Sequence, residues 1–199
     1  MLQKPALFLD RDGTLIEDVG YPHRDEDLRI LDGVFVALRR ARKMGFLLVI
    51  VTNQSGVARG YFSEEVVERF HVKMRQVFAE EDISFDGIYS CPYHPTEGVG
   101  PYRIDSPLRK PQPGMLLQAA KDLQIDLPAS FMIGDKLSDV AAGAGAGCRT
   151  ILVRTGKAGK GEDLSVCPDF TVESLLDAVR LIESSSLNRS ATGTCSEPN

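Results

Sequence analysis

The chain has 199 residues, 43% of them hydrophobic and 26% charged, enough apolar material for one soluble globular domain with its own core. A formal net charge of -5 and an isoelectric point near 5.3 argue against a nucleic-acid binder, whose affinity comes from lysine and arginine gathered on one face. No apolar run reaches the roughly 18 residues of a membrane span, and Met1-Leu2-Gln3-Lys4 does not read as a secretion signal, so a cytoplasmic protein is expected.

In chain order, short apolar runs bounded by turn residues predict strands at 6–9, 47–51, 87–90, 130–133 and 150–153. Helix-period segments fall between them. The first, 33–44, follows Asp32; the second, 63–81, aligns Val66, Val67, Phe70, Met74, Val77 and Phe78 on one stripe; 114–123 and 140–146 complete the set. Strands alternating with helices imply right-handed crossovers, hence an α/β fold with a Rossmann-like parallel sheet flanked by helices. In such sheets ligands gather at the carboxyl ends of the strands. Residues 1–183 are expected to form the domain. Residues 184–199, rich in Ser, Thr, Asn and Gly, read as a polar tail. Cys91, Cys148, Cys167 and Cys195 are widely spaced with no CxxC pair, so free thiols are expected.

The first strand runs into Asp10-Arg11-Asp12-Gly13-Thr14, two carboxylates two residues apart at a strand end, then a glycine that lets the backbone turn sharply. Alone, such a pair reads as a solvated turn. Three further groups change that reading, all in order. Thr52-Asn53-Gln54-Ser55 follows the second strand, Lys110 stands in Arg109-Lys110-Pro111, and Gly134-Asp135-Lys136-Leu137-Ser138-Asp139 follows the fourth.

This set, spanning residues 6 to 153, resembles the haloacid dehalogenase superfamily, whose motifs are a DxDGT nucleophile strand, a Thr or Ser, a Lys and a final acidic pair. The resemblance implies a phosphatase with little or no separate cap domain. In it Asp10 is the nucleophile that forms an aspartyl-phosphate, and Asp12 the general acid and then base. Thr52 and Lys110 stabilise the phosphoryl oxygens. Mg2+ is held by Asp10, the Asp12 backbone carbonyl and Asp135, with Asp139 supporting from behind. Members that cleave carbon–halogen bonds depart from the second aspartate, so Asp12 favours phosphoryl transfer to water.

The longer stretches 10–21 and 52–62 look like the branch of heptose-bisphosphate and histidinol-phosphate phosphatases. That likeness makes Asp18, Val19, Gly20, Tyr21, Asn53, Gln54, Ser55, Arg109 and Lys136 candidate substrate contacts. The expected substrate is a small phosphorylated metabolite, first D-glycero-D-manno-heptose 1,7-bisphosphate, cleaved at C7 on the way to nucleotide-activated heptose. Histidinol phosphate is the enzymatic alternative. The branch commonly carries a zinc loop, Cys-x-His and then Cys-x-Cys before Arg-Lys-Pro. Here Tyr93 stands at the His position and Ser106-Pro107-Leu108 replaces Cys-x-Cys, leaving Cys91 as the one matched ligand. No structural zinc is expected. Packing by Tyr93, Pro95, Tyr102 and Pro107 is expected to hold the loop instead. A phospho-accepting receiver domain shares the parts list, but its acceptor follows the third strand and its acidic pair the first. A non-catalytic binder on the same fold is opposed by the complete set of chemical residues. No oligomerisation element is visible, so a monomer is expected.

Overall fold

The computed structural model describes residues 3–161 and 164–191. Six strands, β1 (Ala6–Leu9), β2 (Leu47–Asn53), β3 (Gly87–Cys91), β4 (Phe131–Gly134), β5 (Arg149–Val153) and β6 (Phe170–Val172), form one sheet in the order β3-β2-β1-β4-β5-β6. Every pairing is parallel. The helices are α1 (Val34–Lys43), α2 (Ser55–Ala58), α3 (Glu64–Ala79), α4 (Gly114–Leu123), α5 (Leu137–Ala146) and α6 (Leu175–Ala191). The expected α/β class and parallel sheet are what the chain forms.

Side chains alternate across a strand, so β1 feeds two cores. Leu7 and Leu9 join Leu48 and Ile50 under Leu38 of α1, Phe70, Met74 and Phe78 of α3, and Val179 and Ile182 of α6. Ala6 and Phe8 join Val49 and Val51 against Met115, Leu116 and Ala119 of α4 and Ala142 of α5. Burial on both faces explains why these strands read as continuous apolar runs rather than alternating ones. The strand order reverses between β1 and β4, which opens a crevice at their carboxyl ends. Among the described residues, segments 10–33 and 92–113 contain no α-helix and no strand of the sheet: each has a three-residue 3-10 turn, and the first also has isolated bridges from Ile16 to Asp12 and Ile30.

Several boundaries differ from expectation, most by one or two residues. Strand β2 runs on through Thr52 and Asn53, which pair with Ser90 and Cys91 of β3 and so carry the motif at the strand's own end. Helix α5 begins at Leu137 rather than residue 140, because the Asp139 carboxylate accepts the Lys136 backbone N–H at 3.0 Å and closes the first turn. Helix α2, strand β6 and helix α6 are additional elements. Ser174 opens α6 by accepting the Asp177 N–H, and Leu175, Ala178, Val179 and Ile182 are its buried face. This helix passes through residue 184 to Ala191, so the expected tail boundary falls inside an element; residues 192–199 lie outside the described residues. Cys91, Cys148 and Cys167 are free thiols, and Cys195 lies outside the described residues. Among the described residues no helix is long and apolar enough to cross a membrane.

Candidate active site

Asp10 follows β1 directly, and its backbone N–H donates to the Ile133 carbonyl of β4 at 3.0 Å, extending the pairing of the two strands to the crevice. Lys110 arrives from a loop 100 residues away in sequence. Its Nζ donates to Asp10 Oδ1 at 2.8 Å and to the Val51 carbonyl at 2.8 Å, and lies 2.6 Å from Asp139 Oδ1. Asn53 explains how the loop is placed. Its side-chain amide donates to the Lys110 carbonyl at 2.9 Å and its oxygen accepts the Lys110 N–H at 3.1 Å, docking that peptide as a further strand would. Burial alone would raise the Asp10 carboxyl; the charges of Lys110 and Lys136, with hydrogen bonds from Lys110 and the Arg11 backbone, hold it below the ordinary value. Burial opposes the Lys110 charge, and Asp10 and Asp139 outweigh it, so the ammonium is retained.

Carboxylate oxygens of Asp10, Asp135 and Asp139 lie within 4.8 Å of one another, and all three residues are buried. Lys136 Nζ is 3.9 Å from both Asp10 Oδ2 and Asp135 Oδ1, and 3.6 Å from Asp18 Oδ2. Asp135 Oδ1 has no hydrogen-bond partner, which is costly for a buried anion. Burial first, then the Asp10 charge, push the Asp135 carboxyl up to about 7. Such crowding of hard oxygen donors with an unused lone pair is what a divalent cation of the magnesium type requires. The donors fit that ion.

The loop after β5 holds Asp135 from the other side. Lys157 N–H donates to Asp135 Oδ2 at 2.6 Å, Gly159 N–H to the Asp135 carbonyl at 2.8 Å, and Thr155 Oγ1 to the Gly13 carbonyl at 2.6 Å. Two glycines allow this approach. A Cβ on Gly13, which has φ of +85°, would stand 2.6 Å from Asp135 Oδ2, and one on Gly156 2.1 Å from the same atom. Gly156→Ala is therefore expected to displace Asp135 and weaken activating-metal affinity about 10- to 100-fold, read from the magnesium dependence of activity. An unchanged dependence would contradict the tight packing.

Asp12 faces the crevice beside Gln54. Gln54 Nε2 donates to Thr52 Oγ1 at 2.9 Å and lies 3.4 Å from Asp12 Oδ2. Because Thr52 accepts that bond, its own O–H is left to donate elsewhere. The Asp12 carboxylate also accepts from Nε and Nη2, one edge of the wholly buried Arg11 guanidinium, at 2.6 and 3.0 Å. Arg11 is not among the residues that motif reading selects; a cation fixed between two candidate catalytic acids is the signal that points to it.

A cavity of about 620 Å³ opens over this floor. Asp12, Asp18, Gly20, Tyr21, Asn53, Gln54, Ser55, Arg109, Lys110 and Lys136 all line it, and so do Pro111, Ser138, Lys157 and Leu164, which the sequence reading does not select. Val19 is not in the lining and is 46% exposed. Thr52 is buried behind Gln54. Asp18 Oδ1 caps the Gly20 N–H at 2.9 Å, shaping the turn that brings Tyr21 to the rim. Arg109 is braced by donation from its Nη1 to the Tyr93 carbonyl at 3.0 Å.

Segment 91–110 is held by hydrogen bonds as well as by the expected aromatic packing. The Tyr93 and Tyr102 rings lie 6.0 Å apart, the His94 N–H donates to the Tyr102 carbonyl at 3.1 Å, and Tyr102 Oη donates to Glu64 at 2.9 Å. His94 Nδ1 accepts the Glu97 N–H at 3.0 Å, and Arg103 Nη2 donates to the Thr96 carbonyl at 2.6 Å. Cys91 is buried, and burial keeps its thiol above the ordinary value.

A family model of HAD-hydrolase-like proteins matches residues 107–178. The D-glycero-beta-D-manno-heptose-1,7-bisphosphate 7-phosphatase of Haemophilus influenzae is 49% identical over 179 residues, covering 89% of this chain and 96% of the relative. The protein of the same name from Escherichia coli K12 is 47% identical over 180 residues, covering 90% and 94%. Among solved structures, a D,D-heptose 1,7-bisphosphate phosphatase from B. bronchiseptica, complexed with magnesium and phosphate, superposes with a TM-score of 0.77 at 29% identity, covering 91% of this chain and 99% of that one. A HAD-like phosphatase from Mesorhizobium loti gives a TM-score of 0.78 at 38% identity, covering 92% and 87%.

Proposed function

Because this chain belongs to the haloacid-dehalogenase-like hydrolase family, with heptose bisphosphate phosphatases among its relatives, we propose that it removes the C7 phosphate of D-glycero-D-manno-heptose 1,7-bisphosphate. The observation that carries this reading is the buried cluster of Asp10, Asp135 and Asp139 around Lys110, opening on a cavity lined by Asp12, Lys136 and Arg109.

Asp10, the Asp12 backbone carbonyl and Asp135 would hold Mg2+, with Asp139 behind them gripping Lys110. When bound, the ion offsets the charge of the carboxylates and of the phosphoryl group. Asp10 is kept ionised by Lys110 and attacks phosphorus, forming the acyl–phosphate bond as the ester P–O bond breaks. Asp12 gives its proton to the departing alkoxide. The resulting carboxylate then takes a proton from water as the water oxygen attacks phosphorus, releasing phosphate and restoring the Asp10 carboxylate. Lys110 and the Thr52 O–H stabilise the equatorial oxygens while charge redistributes over them. Lys136 closes the anionic side of the cavity, and Arg109 offers a planar fork to the remote hydroxyls or second phosphate.

The enzyme works as a cytoplasmic monomer and without structural zinc, its 91–110 loop held by the Tyr93, His94, Tyr102 and Arg103 contacts. Metal analysis of protein purified without chelator should find no stoichiometric zinc, and one equivalent would refute that part. The substrate is tested by comparing kcat/KM across heptose 1,7-bisphosphate, sugar monophosphates and histidinol phosphate, with and without EDTA. Heptose bisphosphate should lead by at least about 100-fold, and EDTA should abolish turnover on every substrate. Preference for histidinol phosphate would overturn the assignment while leaving the chemistry intact.

A further inference from the structure

Arg11 takes no part in the bond-making above, yet its guanidinium is wholly buried and all its recorded partners border the site or brace it from behind. A buried guanidinium is costly unless fully paired, so its partners define what it is for. Nε and Nη2 hold Asp12 Oδ1 and Oδ2 at 2.6 and 3.0 Å, the fork that fixes both the distance and the plane of a carboxylate. Nη2 also lies 3.1 Å from Gln54 Oε1 and from the Pro22 carbonyl, its two hydrogens shared among these two acceptors and Asp12 Oδ2. Holding the Gln54 oxygen turns that amide's NH2 group towards Thr52 and Asp12. Pro22 follows directly on Tyr21, so the same guanidinium ties down the loop that forms one side of the cavity.

The support continues away from the cavity. Nη1 lies 3.2 Å from His71 Nε2, and the guanidinium carbon stands 4.8 Å from the centroid of the Phe70 ring, both residues on α3. Guanidinium nitrogens only donate, so Nε2 must be the acceptor and the imidazole the neutral tautomer carrying its proton on Nδ1. Burial first, then the charges of Arg11 and Arg75, push His71 down to about 3, in keeping with that neutral form.

We propose that Arg11, braced by His71, is a positioning residue that orients the Asp12 carboxyl towards the leaving-group oxygen and sets the Gln54 amide against Thr52. The proposal rests on the assignment of Asp12 as general acid. It has a signature that general structural damage lacks. An alkyl phosphate loses a poor leaving group and needs the proton of Asp12, whereas p-nitrophenolate departs without one. Since kcat/KM reports events up to release of the alcohol or phenol, misplacing Asp12 should penalise only the alkyl ester.

The test compares kcat/KM on heptose 1,7-bisphosphate and on p-nitrophenyl phosphate for Asp12→Asn, Arg11→Met, His71→Leu and His71→Gln. Arg11→Met should lose about 100-fold on the alkyl ester and less than about 5-fold on the aryl ester. His71→Leu, which removes only the brace, should lose about 10-fold on the alkyl ester alone, and His71→Gln, which restores an acceptor, should recover most of it. Should Arg11→Met fail to fold, the two His71 variants decide the matter. Equal losses on both esters, or no loss, in variants that melt cooperatively would overturn the role of Arg11 provided Asp12→Asn discriminates between the esters. If Asp12→Asn itself does not discriminate, the general-acid assignment falls and this proposal with it.

Discussion

Asp10→Asn is expected to lower kcat by more than about 10,000-fold on every phosphate ester, because an amide oxygen forms no acyl-phosphate at a useful rate. The substitution is nearly isosteric, and its oxygen still accepts from Lys110 Nζ, now 2.8 Å from Asp10 Oδ1. The fold should therefore survive, and the Asp135 carboxyl, raised in part by the Asp10 charge, should move back towards its ordinary value. Phosphate release with a melting curve alongside separates the two effects. Appreciable turnover by a well-folded Asp10→Asn protein would remove the covalent route altogether.

Lys110→Met is the second large effect, and it strikes stability as well as rate. Lys110 is 3% exposed and its ammonium is shared by Asp10, Asp139 and the Val51 carbonyl. Methionine fills much the same volume but leaves two buried carboxylates facing each other without that cation. Removing one partner of such a pair costs about 3–5 kcal/mol, and loss of the charge aimed at the phosphoryl oxygens should lower kcat about 100- to 1,000-fold. Denaturant unfolding in chelator measures the first and steady-state kinetics in saturating magnesium the second. A variant as stable as the parent would mean that Lys110 does not compensate the acidic cluster.

The strands that position these residues are legible in the sequence because burial on both sheet faces writes them as unbroken apolar runs. Asp10, Thr52 and Asp135 are legible because each stands at a strand end, and Lys110, in the loop before α4, because it falls between Thr52 and Asp135 in a fixed order. Residue 184 as a boundary is less so. Ser184 and its neighbours are polar, yet the apolar spacing of Leu175, Ala178, Val179 and Ile182 already marks the start of a helix whose hydroxyl-rich end conceals its length. Arg11 is only faintly legible, for another reason. Its neighbours in sequence say only that a cation lies between two acids, while the partners that give it meaning, Gln54 and His71, lie 43 and 60 residues further on. Asn53 is similar: motif reading makes it a substrate contact, and only the fold reveals that it also docks the Lys110 peptide. The 155–159 loop has no motif of its own, since its work at Asp135 is done by backbone N–H groups and by the absence of a side chain at Gly156.

The phosphorylated nucleophile is the central claim, and borohydride trapping addresses it directly. Protein quenched during turnover and reduced with borohydride should carry homoserine in place of aspartate at residue 10, located by mass mapping of peptides, and the modification should be absent without substrate. Reduction at a different residue, or a burst of phosphate release with no reducible adduct on the protein, would contradict attack by Asp10.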